Sequence, residues 1–427
     1  MIDKIFKTPE LKEYTVKGWV RTARVGKNVS FVEIYDGSTL KGLQCVCFDK
    51  NLLEGITTGC SVDITGELVE SQGKGQSHEL VISSFEILGT CDESYPMQKK
   101  EHTMEFFREH LHLRGRTKLF QSIMTVRSVA SQAVHEFFSK DKVHQYFTPI
   151  LTSSDCEGAG ETFELEDKEF FGKPSHLTIS GQIELEYGAL SMGDVYTFSP
   201  TFRAENSHTT KHLAEFWMLE RESAFANMSV MINDAFRVLK FVINTVREKC
   251  SDELDYLEET NGEFRDRFKP FDDKVMEIPS LTYREAIEKL GLEWLSDIDT
   301  ENEKKLVEMY EGKPVIITHF PSAMKPFYMK ESGDSDDLFA TVKGFDIIFP
   351  EVGELVGGSQ REDSYEILKS KMLGAGLDLG EYDEYLDTRK YGTVEHAGYG
   401  IGFERLVMFL TGTKNIRDVI PFPRVPK

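Results

Sequence analysis

No stretch of about 18 apolar residues occurs in this chain, so a membrane-crossing helix is excluded. The start, Met1-Ile2-Asp3-Lys4-Ile5-Phe6-Lys7, lacks the apolar core and small-residue cleavage site of a secretion signal. A cytoplasmic location without a membrane partner is therefore expected. The six cysteines (Cys45, Cys47, Cys60, Cys91, Cys156 and Cys250) are scattered, and no Cys-x-x-Cys knuckle or redox motif is among them. Reduced thiols are expected rather than a disulfide framework. Positive charge is in deficit too. With 50 Lys and Arg against 72 Asp and Glu, the formal net charge is −22, which argues against indiscriminate nucleic-acid binding. One stretch runs the other way. Between Lys17 and Lys50, six cations (Lys17, Arg21, Arg24, Lys27, Lys41 and Lys50) meet three acids (Glu33, Asp36 and Asp49), a local +3. An acidic protein with one basic face gains selectivity from repulsion elsewhere.

At 427 residues the chain is too long for one ordinary domain. Runs rich in β-formers at 14–20, 29–35, 43–48, 61–66 and 80–82, separated by turns such as Asp36-Gly37-Ser38, predict a small closed barrel over residues 1–95. The oligonucleotide-binding barrel is the commonest nucleic-acid-binding version, although the pattern alone also fits a β-domain without a ligand. A linker at 96–112 follows. Apolar residues at helical spacing predict a long helix over 119–138, then a strand ending at Pro149, and a second helix over 228–249. The acidic stretch 251–273 reads as a solvated helical face, part of a helical insertion near 251–310. Strands are predicted at 315–318 and 345–349. The whole of 113–427 is taken as one domain, giving an α+β chain without repeats or low-complexity tracts.

Three clusters carry chemistry. The first is Phe202-Arg203-Ala204-Glu205, read as a strand delivering an arginine and a carboxylate to one face. A polar loop follows, Asn206-Ser207-His208-Thr209-Thr210-Lys211-His212, and then a strand with Phe216. Guanidinium pairs with phosphate oxygens in a planar fork, so such a loop suits a triphosphate, and Phe216 can stack on a flat ring. The second runs from Phe345 to Glu362. Carboxylates in apolar strands are costly to bury unless paired or metal-bound, and Asp346 with Glu354 can hold Mg²⁺. The third is Gly398-Tyr399-Gly400-Ile401-Gly402-Phe403-Glu404-Arg405. It resembles a dinucleotide loop only superficially, and Arg405 near a helix start offers a second phosphate clamp. Singly, each has a plainer reading: a surface hairpin with solvated charges for the first, a turn with an internal salt bridge for the second.

Taken together the clusters resemble the class IIb aminoacyl-tRNA synthetases, in which the helix ending at Pro149 looks like motif 1, residues 202–222 like motif 2 and 398–423 like motif 3. The resemblance spans nearly the whole chain, including the barrel and Ser154-Asp155-Cys156-Glu157-Gly158-Ala159-Gly160-Glu161. It implies an OB-fold β-barrel for the anticodon, joined to an antiparallel β-sheet flanked by helices, in a homodimer formed through motif 1. By the family's roles, Arg203 binds the ATP α-phosphate and orients the substrate carboxylate. Glu205 contacts the adenine amino group, Phe216 stacks on adenine, His208 holds pyrophosphate and Arg405 clamps the γ-phosphate. Asp346 and Glu354 ligate Mg²⁺, and Glu157 and Gln182 receive the α-amino group. Arg203 and Arg405 are thus the catalytic pair, with ATP and Mg²⁺ as the small-molecule requirements.

The resemblance is closer to the asparaginyl than to the aspartyl members. Aspartyl enzymes pair the substrate's side-chain carboxylate with an arginine and a lysine, and the lysine's position is here Leu185. Arg361 remains to donate to an amide oxygen, and Glu220 is expected to accept from the amide NH₂. The implied partners are L-asparagine and tRNA(Asn). In the barrel, Phe31 and Gln44 match positions that stack on and hydrogen-bond to anticodon bases, and Arg21 and Arg24 are expected at phosphate or base. Core packing of Phe31 is the plainer alternative. Rival readings are a non-discriminating aspartyl enzyme, an asparagine-making relative, which would lack the barrel, and a catalytically silent RNA-binding or signalling paralogue. The last would have lost Arg203, Glu354 or Arg405, and all three are present.

Overall fold

The computed structural model describes residues 2–73, 76–153, 162–166, 170, 172, 174–272, 277–333 and 339–426. They fall into two compact units, Met1–Ser122 and Ile123–Lys427.

In the first unit, β1 (Glu13–Arg24), β2 (Ser30–Tyr35), β3 (Leu43–Cys47), β4 (Ser61–Glu70) and β5 (His78–Gly89) close into a barrel in the order β1-β2-β3-β5-β4. Alternation builds it. Val62, Ile64 and Leu68 of β4 meet Val16, Val32, Leu43, Cys45 and Leu80 inside, while Asp63, Thr65 and Glu67 reach solvent. Residues 96–112 carry the helix Met104–Glu109 and the start of a second, Leu111–Arg114, with Met97, Phe107 and Phe120 forming a small cluster of their own. The five described cysteines are unpaired thiols, as expected.

The second unit is built on an eight-stranded sheet. Its strands are β6 (His144–Gln145), β9 (Asp194–Phe202), β10 (Glu215–Ala224), β11 (Ser280–Thr282), β12 (Val315–Thr318), β13 (Gly344–Phe349), β14 (Gly353–Gln360) and β15 (His396–Gly402). They lie in the order β11-β12-β13-β14-β15-β10-β9-β6, and β7 (Leu151–Thr152) and β8 (His176–Leu177) form a separate pair. The six inner strands are antiparallel, whereas the edge pairings β11–β12 and β6–β9 are parallel. The helix Met228–Lys249 starts at Asn227, whose side chain accepts from Val230 N–H. It buries Met231, Ala235, Leu239, Val242 and Val246 against β13, β14 and β15. The other long helix runs Lys118–Lys140, close to its expected span.

Two expectations differ from the structure. The strand ending at Pro149 is instead two short pieces, β6 and β7, because proline has no N–H to give to a ladder. The acidic stretch at 251–273 is not merely a solvated face. Its helix Ser251–Asn261 buries Leu254 and Leu257, and the following turn buries Phe264, Phe268 and Phe271. Phe268 and Phe271 lie 5.5 and 6.4 Å from Phe409, so the acids are the wet side of a core element.

Candidate active site

Strand register assembles the site. Asp346 pairs with Gly357, Gly357 with Gly400, and Gly400 with Glu220, placing four residues in one row across the centre of the sheet. A parallel row runs Gly344, Ser359, Gly398 and Glu222. Gly398, Gly400 and Gly402 alternate along β15, so from residue 398 onward this face of the strand carries no side chains. The glycine run is therefore the floor of a cleft rather than a nucleotide loop. An added Cβ at Gly400 would lie 2.5 Å from Met218 Cε, and at Gly398 it would lie 1.9 Å from Glu222 Oε2.

Above this floor is a cavity of about 400 Å³. Arg203, Glu205, Phe216, Gln182, Glu220, Arg361, Asp346, Glu354 and Arg405 all line it, together with Leu185. Residues separated by more than 200 positions are thus brought to one place. Arg203 and Glu205 do not sit on a strand, because β9 ends at Phe202 and both ride the loop beyond it. That loop is tied down where Arg203 N–H donates to the Ala214 carbonyl at 3.0 Å and Ala214 N–H to the Arg424 carbonyl at 2.8 Å. The Arg203 guanidinium lies 5.6 Å from the centre of the Phe216 ring. Arg405 Nη1 donates to the Glu354 carbonyl. His208 is on the exposed side of the loop and does not line the cavity, whereas His212 does. Glu157 lies outside the described residues.

The two carboxylates read as a metal pair converge over Gly357. A Cβ there would lie 2.9 Å from Glu354 Oε1 and 3.6 Å from Asp346 Oδ1. Asp346 also accepts from Lys325 Nζ at 2.8 Å, and burial together with the charge of Glu354 pushes its pKa up to about 6. At the other end, Glu220 is buried and accepts from Ser180 Oγ and from Gly181 N–H at 3.0 Å. Burial raises its pKa, with those donors and Arg203 pulling the other way. Arg361 is buried in a two-pronged pair with Glu222, at 2.8 Å from Nη2 to Oε2 and 3.1 Å from Nε to Oε1, and donates to Ser359 Oγ at 2.8 Å.

Sequence reasoning missed several neighbours. Glu222 was legible, since two residues beyond Glu220 is the same strand face. Lys211 and His212 were inside the loop already marked for phosphate. Burial lowers the pKa of both, in His212 with help from Arg405. Glu303 comes from the helix Thr300–Met309, accepts from Glu354 N–H at 3.0 Å, and is pushed up to about 7 by burial and by Glu354. No local signal marked Glu303 or Lys325.

On the barrel, Phe31 is 39% exposed, which removes the core-packing alternative. It pairs in register with Arg24, also exposed, and Gln44 pairs with Glu33 on the neighbouring strand. Arg21 differs. Its guanidinium donates to the Leu40 carbonyl at 3.0 Å and to Gln121 Oε1 at 2.9 Å, and lies over the Tyr35 ring at 4.4 Å. The Arg21 guanidinium is thus engaged within its own unit.

Known proteins share this sequence and architecture. Residues 102–426 match the family of tRNA synthetases class II (D, K and N), and residues 14–88 match the OB-fold nucleic acid binding domain. The asparagine–tRNA ligase of Desulfotalea psychrophila is 46% identical over 433 residues, covering 96% of this chain and 95% of that protein. The one from Cytophaga hutchinsonii is 43% identical over 450 residues, covering 97% and 95%. The crystal structure of asparaginyl-tRNA synthetase from Pyrococcus horikoshii complexed with asparaginyl-adenylate superposes with a TM-score of 0.89 at 30% identity, over 98% of this chain and 96% of that one.

Proposed function

This chain belongs to the class II tRNA synthetases of the aspartate, lysine and asparagine group, and from that premise we propose that it ligates asparagine to tRNA(Asn) using ATP. The carrying observation is that one cavity joins a phosphate-and-purine end (Arg203, Glu205, Phe216, Arg405) to an amino-acid end (Gln182, Glu220, Arg361). Asparagine's carboxylate attacks the α-phosphorus in line, forming asparaginyl-adenylate and expelling pyrophosphate. The terminal ribose hydroxyl of tRNA(Asn) then attacks the adenylate carbonyl, and AMP leaves. No protein nucleophile is needed, because positioning and charge neutralisation carry the chemistry.

Arg203 neutralises the α-phosphate and holds the attacking carboxylate beside it, while Arg405 clamps the γ-phosphate. Phe216 stacks on the adenine and Glu205 accepts from its amino group. Gln182, with Glu157, receives the α-ammonium group. His212 and Lys211 join the pyrophosphate end, where His208 was expected. Asp346 and Glu354 are suited to Mg²⁺, since both carboxylates converge over Gly357, where no side chain intervenes. Mg²⁺ usually takes one or two carboxylates and fills its remaining positions with phosphate and water. Mg²⁺ supplies charge neutralisation on the phosphate oxygens when bound.

Asparagine is preferred over aspartate because Leu185 supplies no cation and Arg361 is already balanced by Glu222. A second carboxylate would enter beside Glu220 and Glu222 without a partner of its own. A homodimer is supported by apolar residues left exposed just after the helix Lys118–Lys140, namely Phe147, Ile150 and Leu151, which a second copy would cover. The test is ATP–pyrophosphate exchange with asparagine, aspartate and ammonia, followed by charging of tRNA. Exchange with aspartate but not asparagine would overturn the assignment.

A further inference from the structure

Glu186 follows Gln182 by one helical turn in the helix Gln182–Met192. It is fully buried and does not itself line the cavity. Its carboxylate is nonetheless saturated with donors. Gln182 Nε2 lies at 3.1 Å, the Tyr385 hydroxyl at 2.8 and 2.9 Å from its two oxygens, Arg389 Nη2 at 2.5 Å and His396 Nε2 at 3.1 Å. Arg361 Nε is 3.9 Å away. Burial pushes this carboxyl up, but Arg389 and His396 outweigh it and hold the group well below the usual carboxylate range.

An ionised carboxylate only accepts hydrogen bonds, and that decides the orientation of the Gln182 amide. Its NH₂ must point to Glu186, leaving the amide oxygen as the polar end available to the cavity that Gln182 lines. An α-ammonium group only donates, so it needs this orientation, and a flipped amide would set donor against donor. Glu186 also lies near the Arg361 guanidinium, whose main partner is Glu222.

We propose that Glu186 is a positioning residue. It fixes Gln182 as an acceptor for the substrate's α-ammonium group and, with Glu222, balances Arg361 so that the side-chain pocket takes a neutral amide rather than a carboxylate. The inference rests on the asparagine-activating reading of the cavity.

Glu186→Gln tests it by ATP–pyrophosphate exchange with the full chain. The KM for asparagine rises about 10–100-fold, the loss expected when a hydrogen bond to a charged group is given up, while the KM for ATP stays put. The ratio of kcat/KM for asparagine to that for aspartate falls about tenfold, because the pocket gains net positive charge. A purely structural role would lower kcat with both amino acids alike and leave that ratio unchanged, and this result overturns the proposal. Tyr385→Phe removes one donor to Glu186 while keeping its charge. It moves the asparagine KM the same way by less, and decides the question should Glu186→Gln not fold. An unchanged asparagine KM in a folded Tyr385→Phe then overturns the proposal. Absence of asparagine-dependent exchange in the parent protein would instead strike the asparagine-activating reading itself.

Discussion

Arg361 and Glu222 meet in a two-pronged ion pair over the bare α-carbon of Gly398, where a methyl group would lie 1.9 Å from Glu222 Oε2 and 2.7 Å from Arg361 Nη2. The pair therefore exists only because residue 398 has no side chain. Gly398→Ala is expected to split it. Breaking a buried pair costs about 3–5 kcal/mol, so asparagine activation should fall by roughly 100-fold or more while the protein melts at lower temperature. Exchange kinetics and calorimetry check both. An alanine variant within tenfold of the parent would mean that the pair can shift aside without consequence.

Arg203 is held over Phe216 at the mouth of the loop that leaves β9. In the proposed reaction its positive charge serves both the α-phosphate and the attacking carboxylate. Arg203→Ala should lower kcat/KM for pyrophosphate exchange by about 10²–10³-fold, the effect of deleting one preorganised electrostatic donor. The fall should appear mainly in kcat. Activity within tenfold of the parent would remove Arg203 from the mechanism.

Much of this site was legible because its residues sit in ordered, local motifs. Arg203, Glu205 and Phe216 lie within one hairpin, and Asp346 and Glu354 within another. The glycines of β15 were visible too, but their purpose was not. Only the register with β14 and β10 reveals them as a floor, and register is a long-range property. Glu303 and Arg389 were invisible for the same reason. Each reaches the site from about 50 to 200 residues away, through packing that leaves no trace in nearby sequence. His208 and His212 show the limit of a motif read without geometry: one polar loop offered two histidines, and only the second lines the cavity. The solvated reading of residues 251–273 failed because its phenylalanines were discounted against a surplus of acids.

Asp234, which does not itself line the cavity, provides a pH test. It is half-buried on the helix Met228–Lys249, accepts from the Tyr399 hydroxyl at 2.9 Å and lies 3.6 Å from Arg221 Nε. Arg237 Nη1 reaches it at 3.2 Å. Burial raises its pKa above the ordinary 3.8, even against those partners. The folded state therefore binds more protons than the unfolded one just above pH 3.8, and this group's contribution to stability declines as pH rises through that window. Compared with Asp234→Asn, the parent should lose relative stability as pH is raised from about 4 to about 7. Urea midpoints of the two proteins across that range measure it. A difference that is flat, or that grows in the parent's favour, would show that the ion pairs outweigh burial.

The proposed function puts recognition of tRNA on the barrel and activation in the cavity. Phe31 presents an exposed ring, with Arg24 beside it in register, whereas Arg21 is engaged by Leu40, Gln121 and Tyr35. Stacking of a base on an aromatic ring contributes about 1–3 kcal/mol, so Phe31→Ala should raise the KM for tRNA(Asn) roughly 5- to 150-fold. Arg24→Ala should also weaken tRNA binding and flatten its salt dependence by about one unit of slope. Neither should alter asparagine-dependent pyrophosphate exchange, which needs no tRNA in the reaction as drawn. Arg21→Ala should behave differently, lowering thermal stability because Tyr35 and Gln121 lose their partner, with any effect on tRNA following from that. Should Arg21→Ala weaken tRNA binding without lowering the melting temperature, its guanidinium must be released from these contacts when tRNA binds.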